Sequence, residues 1–394
     1  MAKYDFDQLI PRRGTNSVKW DEEPAADILP MWVADMDFRT APAVREAVER
    51  RARHGIFGYV HVPDAYYDAV ISWFSRRHGW RMERDWIIYT SGVVPAISAV
   101  IKAVTRPGDK VLVQTPVYNC FFSSIRNNGC VMAENRLVYA KNTYAIDFDD
   151  FERKAADPGV KAFLLCNPHN PAGRVWTPDE LRRMGEICMR HGVFVISDEI
   201  HCELVMPGHR YTPFASLSGD FLMHSATCTS PSKAFNIAGL QIANITVADT
   251  EMRQAVDRAI NINEVCDVNP FGVEALIAAY STEGEAWLKE LISYLHGNYA
   301  FLKEYISVKM PRLKVVTLEG TYLVWVDCSA TGMSSEKITG ELLQKQKLWL
   351  NGGEMYGETE RPFVRINIAC PRTRLEEGLM RMTNFVEMKM KNNK

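Results

Sequence analysis

Apolar runs of strand length alternate with helix-period segments through the middle of the chain. The runs cover residues 86–90, 110–116, 161–168, 193–200, 221–227 and 242–248. They are apolar almost throughout, which predicts strands buried on both faces and a mostly parallel sheet flanked by helices. Val93–Val104 is an apolar helix-length segment, and Pro178–His191 reads as a helix with Thr177 as N-cap and Gly192 just past its end. After about residue 285 the texture changes. A helical stretch over 285–308 leads into "LKVVTLEGTYLVWVDC", which predicts two alternating strands joined by a turn at Gly320. A helix over 334–346, a strand over 361–369 and a helix over 373–390 follow. The first 45 residues carry prolines at 11, 24, 30 and 42 and read as an arm. The expected organisation is an α/β chain in three parts. Residues 1–45 form an arm joining the small domain, 46–285 a large domain and 286–394 a smaller α+β domain.

Composition narrows the class. A chain of 394 residues exceeds one ordinary core, and 47% hydrophobic with 24% charged residues is the balance of a globular protein. A formal net charge of −2 offers no bulk attraction to nucleic acid or to an anionic membrane. The opening "MAKYDFDQLIPRRG" is charged, unlike a signal peptide, and no apolar run reaches the ~18 residues of a spanning helix. The nine cysteines, an odd number without a CxxC pair, argue against a disulfide framework or a zinc site. A reducing cytoplasm is expected, with each cysteine a small buried hydrophobe.

Four strand ends carry reactive residues, where ligands gather in open α/β sheets. In "TSGVVPA", Ser91, Gly92 and Val93 open a helix whose free N–H groups suit a phosphate; alone, the stretch is also an ordinary turn. In "NPHNPAGR", each proline holds the preceding asparagine extended, so Asn170 can project its amide from the strand end. His169 reads there as a turn or surface residue. In "VFVISDEIH", Asp198 and Glu199 end an apolar strand, where a carboxylate needs a cationic partner, and His201 follows close by. A salt bridge or a helix cap would explain the carboxylates equally. In "SPSKAFNIAGL", Ser230 and Ser232 flank Lys233, an arrangement that serves phosphate oxygens and a reactive amine, or else an ordinary loop. Taken together, a phosphate site, an amine, a carboxylate and an amide describe one ligand, pyridoxal 5′-phosphate.

These motifs, with "LPMWVADMDF", "GYVHVPDAYYDAV", "TPVYNCFF", "EGTYLVWVD" and "FVRINIACPR", span nearly the whole chain. The sequence resembles the fold-type I pyridoxal-phosphate enzymes of the class I/II aminotransferase superfamily. Within them it is most similar to the MalY/PatB-type cystathionine β-lyase and cystalysin group of C–S lyases. The resemblance implies an aspartate-aminotransferase-like fold with a seven-stranded sheet. It implies Lys233 as the lysine that holds the cofactor, Asp198 on the ring nitrogen, Asn170 on the ring oxygen and Tyr118 on the ring face. Ser91, Gly92, Val93, Ser230 and Ser232 would hold the phosphate, with Tyr59 reaching over from a second subunit, so that a homodimer shares its active sites. His201 stands where many aminotransferases have tyrosine. Arg365 would clamp the substrate carboxylate, and Val33, Ala34 and Tyr322 would line the substrate pocket. Gln241 departs from the pattern, standing eight residues past the lysine where aspartate aminotransferases carry a phosphate-binding arginine. The expected activity is β-elimination from a sulfur amino acid to pyruvate, ammonia and a thiol. Transamination on the same scaffold, or a regulatory binding role, remains open at this stage.

Overall fold

The structure, a computed structural model, describes residues 4–263, 267–358 and 361–392. Its centre is a seven-stranded sheet: β1 (Ile87–Thr90), β2 (Lys110–Thr115), β3 (Val131–Arg136), β4 (Val160–Cys166), β5 (Phe194–Asp198), β6 (Ser225–Thr229) and β7 (Ala243–Thr246). The order across the sheet is β1-β7-β6-β5-β4-β2-β3. Only β7 runs against its neighbours, pairing antiparallel with both β1 and β6. Side chains alternate between two apolar layers. Ala162, Leu164 and Cys166 of β4 join the layer under the helices Val93–Val104 and Thr250–Asn261, while Phe163 and Leu165 join the layer under Phe148–Ala155 and Pro178–Arg190. Burial on both faces explains the continuous apolarity of the strands.

The sheet-flanking helices begin where the sequence marks them. Thr177 accepts from the Glu180 amide and Glu180 returns the bond to the Thr177 amide, a reciprocal capping box. His191 ends this helix and Gly192 follows at φ +65°. The helix Val93–Val104 differs: Gly92 precedes it in extended backbone and no side chain caps it.

A second, antiparallel sheet contains β8 (Lys314–Val315), β9 (Leu323–Asp327), β10 (Asn351–Gly352) and β11 (Phe363–Asn367) in the order β8-β9-β11-β10. The helices Thr282–Lys309 and Arg372–Asn392 accompany it. The arm belongs to this end of the molecule. Leu29–Pro30 pairs in parallel with Leu348–Trp349, and Asp37 donates its amide to the Ala369 carbonyl at 2.9 Å.

Three local expectations are corrected. The run 221–227 is not one strand. The Ser218 hydroxyl caps the Phe221 amide, a short helix covers Gly219–Met223, and the strand starts at Ser225. Gly320 does not make a tight turn between β8 and β9. It is pressed against the loop around Pro168 and Val175, where an added Cβ would stand 2.8 Å from the Val175 methyl and 3.2 Å from the Leu204 carbonyl. The left-handed residue beside it is Thr321, at φ +72°. His169 is fully buried, with Nε2 3.3 Å from the Gln114 carbonyl. The amides of Glu319 and Gly320 donate to the Gly173 carbonyl and seal the Asn-Pro loop from solvent. Burial pushes the His169 imidazole down to about 3, so it stays neutral. Of the cysteines, Cys266 lies outside the described residues; Cys120 is half-buried and the other seven are buried.

Candidate active site

The carboxyl ends of β1, β4, β5 and β6 open onto one cavity of about 320 Å³. Ser91, Gly92, Val93, Tyr118, Asn170, Asp198, His201, Ser232 and Lys233 line it, together with Ala34 from the arm. Residues separated by up to two hundred positions therefore meet at the place the strand-end argument indicated.

The charges here are poorly compensated. Asp198 ends β5 on the face of the uncapped helix, and its Oδ1 accepts from the Ile200 amide at 3.1 Å. Burial, reinforced by the neighbouring Glu199, pushes its carboxyl up to about 7 against the pull of that amide and of Lys233. Lys233 sits inside the protein and donates from Nζ to the Ala34 carbonyl at 2.8 Å. Burial and the nearby Arg365 guanidinium bring its amine down to about 8, against the opposing pull of Asp35 and Asp198. His201 is brought down to about 3 by burial and by the same two cations, and its buried Nδ1 has no partner.

Arg365 lies on β11, the strand flanked by β9 and β10. Its guanidinium donates to the Asn170 Oδ1 at 3.2 Å and to the Trp32 carbonyl at 2.8 Å, while Nε is buried without a partner. Among the described residues no carboxylate pairs with it, so it is a buried cation held by neutral oxygens. The Tyr356 ring lies 4.8 Å away. Burial keeps the Tyr118 phenol well above its ordinary range, hence neutral.

Not every expected residue faces the cavity. The Ser230 hydroxyl donates to the Ile242 carbonyl at 2.6 Å and accepts the Ser232 amide, so it braces the loop that presents Ser232. The Val33 carbonyl accepts from Asn367 at 2.5 Å, beside rather than on the cavity wall. The Tyr322 hydroxyl reaches the Ala34 carbonyl at 2.9 Å. Tyr59 is 93% exposed and is not among the residues that line the cavity. Gln241 lines the cavity in left-handed backbone, φ +53°, with its amide turned to the Ala238 carbonyl.

Sequence reasoning missed the supports. Asn367 bridges the Val33 and Asp35 carbonyls, and Asn236 exchanges bonds with Met36 while also holding the Phe38 carbonyl. Cys166, read only as a hydrophobe, lines the cavity and accepts the Asn170 amide at 3.4 Å. No spacing marks these residues, because each acts across 4 to 334 positions.

The arrangement is that of a cofactor-dependent amino-acid enzyme, and the chain belongs to the class I and II aminotransferase family, whose model matches residues 26–382. It is 44% identical over 382 residues to cystathionine beta-lyase PatB of Bacillus subtilis, covering 96% of this chain and 98% of that one. Protein MalY of Escherichia coli is 33% identical over 97% of this chain and 99% of its own. Cystalysin from Treponema denticola, whose crystal structure contains pyridoxal 5′-phosphate, superposes with a TM-score of 0.94 at 33% identity, over 98% of this chain and 99% of that one.

Proposed function

We propose that this protein is a pyridoxal 5′-phosphate-dependent carbon–sulfur β-lyase. It cleaves sulfur amino acids such as L-cystathionine and cysteine S-conjugates to pyruvate, ammonia and a thiol. The observation that carries the lyase reading is likeness over nearly the whole chain to a cystathionine beta-lyase, with the charged cavity intact.

The cavity fits the cofactor. It holds a buried carboxyl raised for want of a cation, an amine lowered towards neutrality, and buried His201 Nδ1 and Arg365 Nε without partners. A protonated ring nitrogen would supply the charge Asp198 lacks. Lys233 would hold the cofactor's aldehyde carbon, Asn170 its ring oxygen and Tyr118 its ring face. His201 would stand beside the ring as a neutral imidazole. The phosphate would rest on Ser91, Ser232 and the uncapped amides after Gly92, with Ser230 bracing the loop. When bound, the cofactor supplies the electron sink for the charge left on Cα. Arg365, poised on neutral oxygens, exchanges them for the substrate carboxylate. Lys233, its amine lowered towards neutrality by burial and by Arg365, removes the Cα proton, and the C–S bond at Cβ then breaks with the sulfur leaving as thiolate. Ala34 would bound the substrate side, with Tyr322 and Val33 behind it.

A homodimer would bring Tyr59 of a second copy to the phosphate, which accounts for its exposure here. The chain divides into the arm 1–45, a large domain 46–285 holding the seven-stranded sheet and a small domain 286–394 holding the four-stranded one. Its free thiols suit the cytoplasm. Among the described residues no helix is long and apolar enough to cross a membrane.

The test is to supply L-cystathionine and S-methylcysteine to the cofactor-loaded protein. Pyruvate and thiol should appear in equal amounts with no keto-acid acceptor added. Amino transfer to a keto acid without pyruvate would overturn the lyase assignment.

A further inference from the structure

One backbone oxygen in the cavity receives two side chains. The Ala34 carbonyl accepts Lys233 Nζ at 2.8 Å and the Tyr322 hydroxyl at 2.9 Å. A carbonyl has two lone pairs, so both acceptor positions are occupied. The oxygen is also immobilised. Asn367 Nδ2 grips the carbonyls on either side, Val33 at 2.5 Å and Asp35 at 2.6 Å. The Trp32 carbonyl is held by Arg365 at 2.8 Å and Asn351 at 3.2 Å. Tyr322 itself is 1% exposed, and Gly320 lets its loop lie close against Val175 and Leu204. Among the described residues, Ala34 is the one hydrogen-bond acceptor of the Lys233 amine.

We propose that Tyr322 is a positioning residue for Lys233, sharing the Ala34 carbonyl so that this oxygen orients the amine without trapping it as an ammonium. The inference rests on the reading of Lys233 as the base. A hydrogen bond from a charged donor is stronger than one from a neutral donor, so an unshared, fixed carbonyl would favour the protonated amine. A second donor on the same oxygen weakens that preference. The phenol is suited to the task, because burial keeps it neutral and donating. The other titratable groups facing Lys233 are Arg365, which opposes its protonation, and Asp35, Asp198 and the Cys120 thiol, which favour it. His201 faces it as a neutral imidazole. Tyr322 adds no charge and acts only through the acceptor. When Lys233 leaves to engage the cofactor, Tyr322 stays on the oxygen and keeps it satisfied.

The experiment uses cofactor-free full-length protein, with pyridoxal 5′-phosphate as the probe. Its capture is followed by absorbance as a function of pH. The wild-type rate should inflect near pH 8, where the amine titrates. Tyr322→Phe should move the inflection up by about half a pH unit, roughly a threefold slower capture at pH 7. Replacing Tyr322 by 3-fluorotyrosine, a stronger donor of nearly the same shape, should move it down and keeps the test valid if the phenylalanine variant misfolds. Inflections unchanged in both variants, or moved in the reverse directions, overturn the proposal. Lys233→Ala separates the two readings. If that variant captures the probe as fast as wild type, the reading of Lys233 is wrong; if it captures none while the Tyr322 variants match wild type, only the role of Tyr322 is.

Discussion

Two charge clusters meet the arm segment Trp32–Phe38, and they are built to opposite rules. In the first, Asp35 and Asp37 meet Arg12, Lys19 and Arg374, with contacts from 2.7 to 3.6 Å. Trp20 adds a hydrogen bond to Asp37 at 2.9 Å. Burial opposes ionisation of Asp37, but Lys19, Arg374, Trp20 and Arg12 together hold its carboxyl below the ordinary range. In the second, Lys233 and Asp198 line the cavity and Arg365 is buried against its Asn170, without one direct ion pair among the three, and the carboxyl and the amine move towards neutrality. The first cluster spends its charges on one another and pins the arm. The second leaves them for a ligand, at the expense of stability in the cofactor-free protein. Two neighbouring carboxyls are both raised by burial but differ in their partners. Glu199 accepts from Tyr211, Ser197, Asn167 and the Phe214 amide, whereas Asp198, on the opposite face of the strand, accepts one amide.

The sharpest way to break this comparison is to delete one charge from each side. Lys233→Ala should lower turnover by at least roughly 10³-fold, the scale of a lost positioned base, and abolish the visible absorbance of the lysine-bound cofactor. The melting temperature of the cofactor-free protein should stay level or rise, since an amine without an ion-pair partner has been removed. Asp37→Asn should do the reverse. Removing one partner of a buried pair costs about 3–5 kcal/mol, so a calorimetric scan should show a marked fall in melting temperature.

Titration sharpens the contrast, because the two aspartates act with opposite sign. Asp198 binds its proton more tightly folded than unfolded. The cofactor-free protein should therefore lose stability as pH rises from about 4 towards about 7, and Asp198→Asn should remove that slope. Asp37 is depressed, so its contribution is present above its unfolded value of 3.8 and is lost as pH falls through its lower folded value. Melting curves of the cofactor-free protein and both asparagine variants across this range would measure both slopes. The smallest effect belongs to neither cluster. Thr177→Ala removes a cap worth about 1 kcal/mol and should leave kcat unchanged, which a paired melt and assay would check.

The elements and most of the cavity were legible because their signals are local. Apolar runs marked the strands, Thr177 and Gly192 marked a helix, and each reactive residue sat at a strand end. The supporting groups were not. Lys19 has no local reason to be buried; its partners are 16 and 18 residues away on another segment. Asn367 matters through a carbonyl 334 positions distant, and Tyr322, expected at the substrate pocket, acts through one 288 positions away. His169 was misread because turn-forming neighbours suggest exposure, while the loop that buries it comes from residues 317–321.

The grip of the last strand on the first turns of the chain has a consequence for biosynthesis. Lys233, Asp198 and Asn170 leave the ribosome well before Arg365 and Asn367, which hold Trp32, Val33 and Asp35 in place. At ~5–20 residues per second the arm waits about 20–60 s for its partners. Until the final hundred residues emerge, a nascent chain carries its reactive lysine without the wall that orients it. A truncated product ending before β11 would thus hold the amine yet lack the fixed Ala34 oxygen.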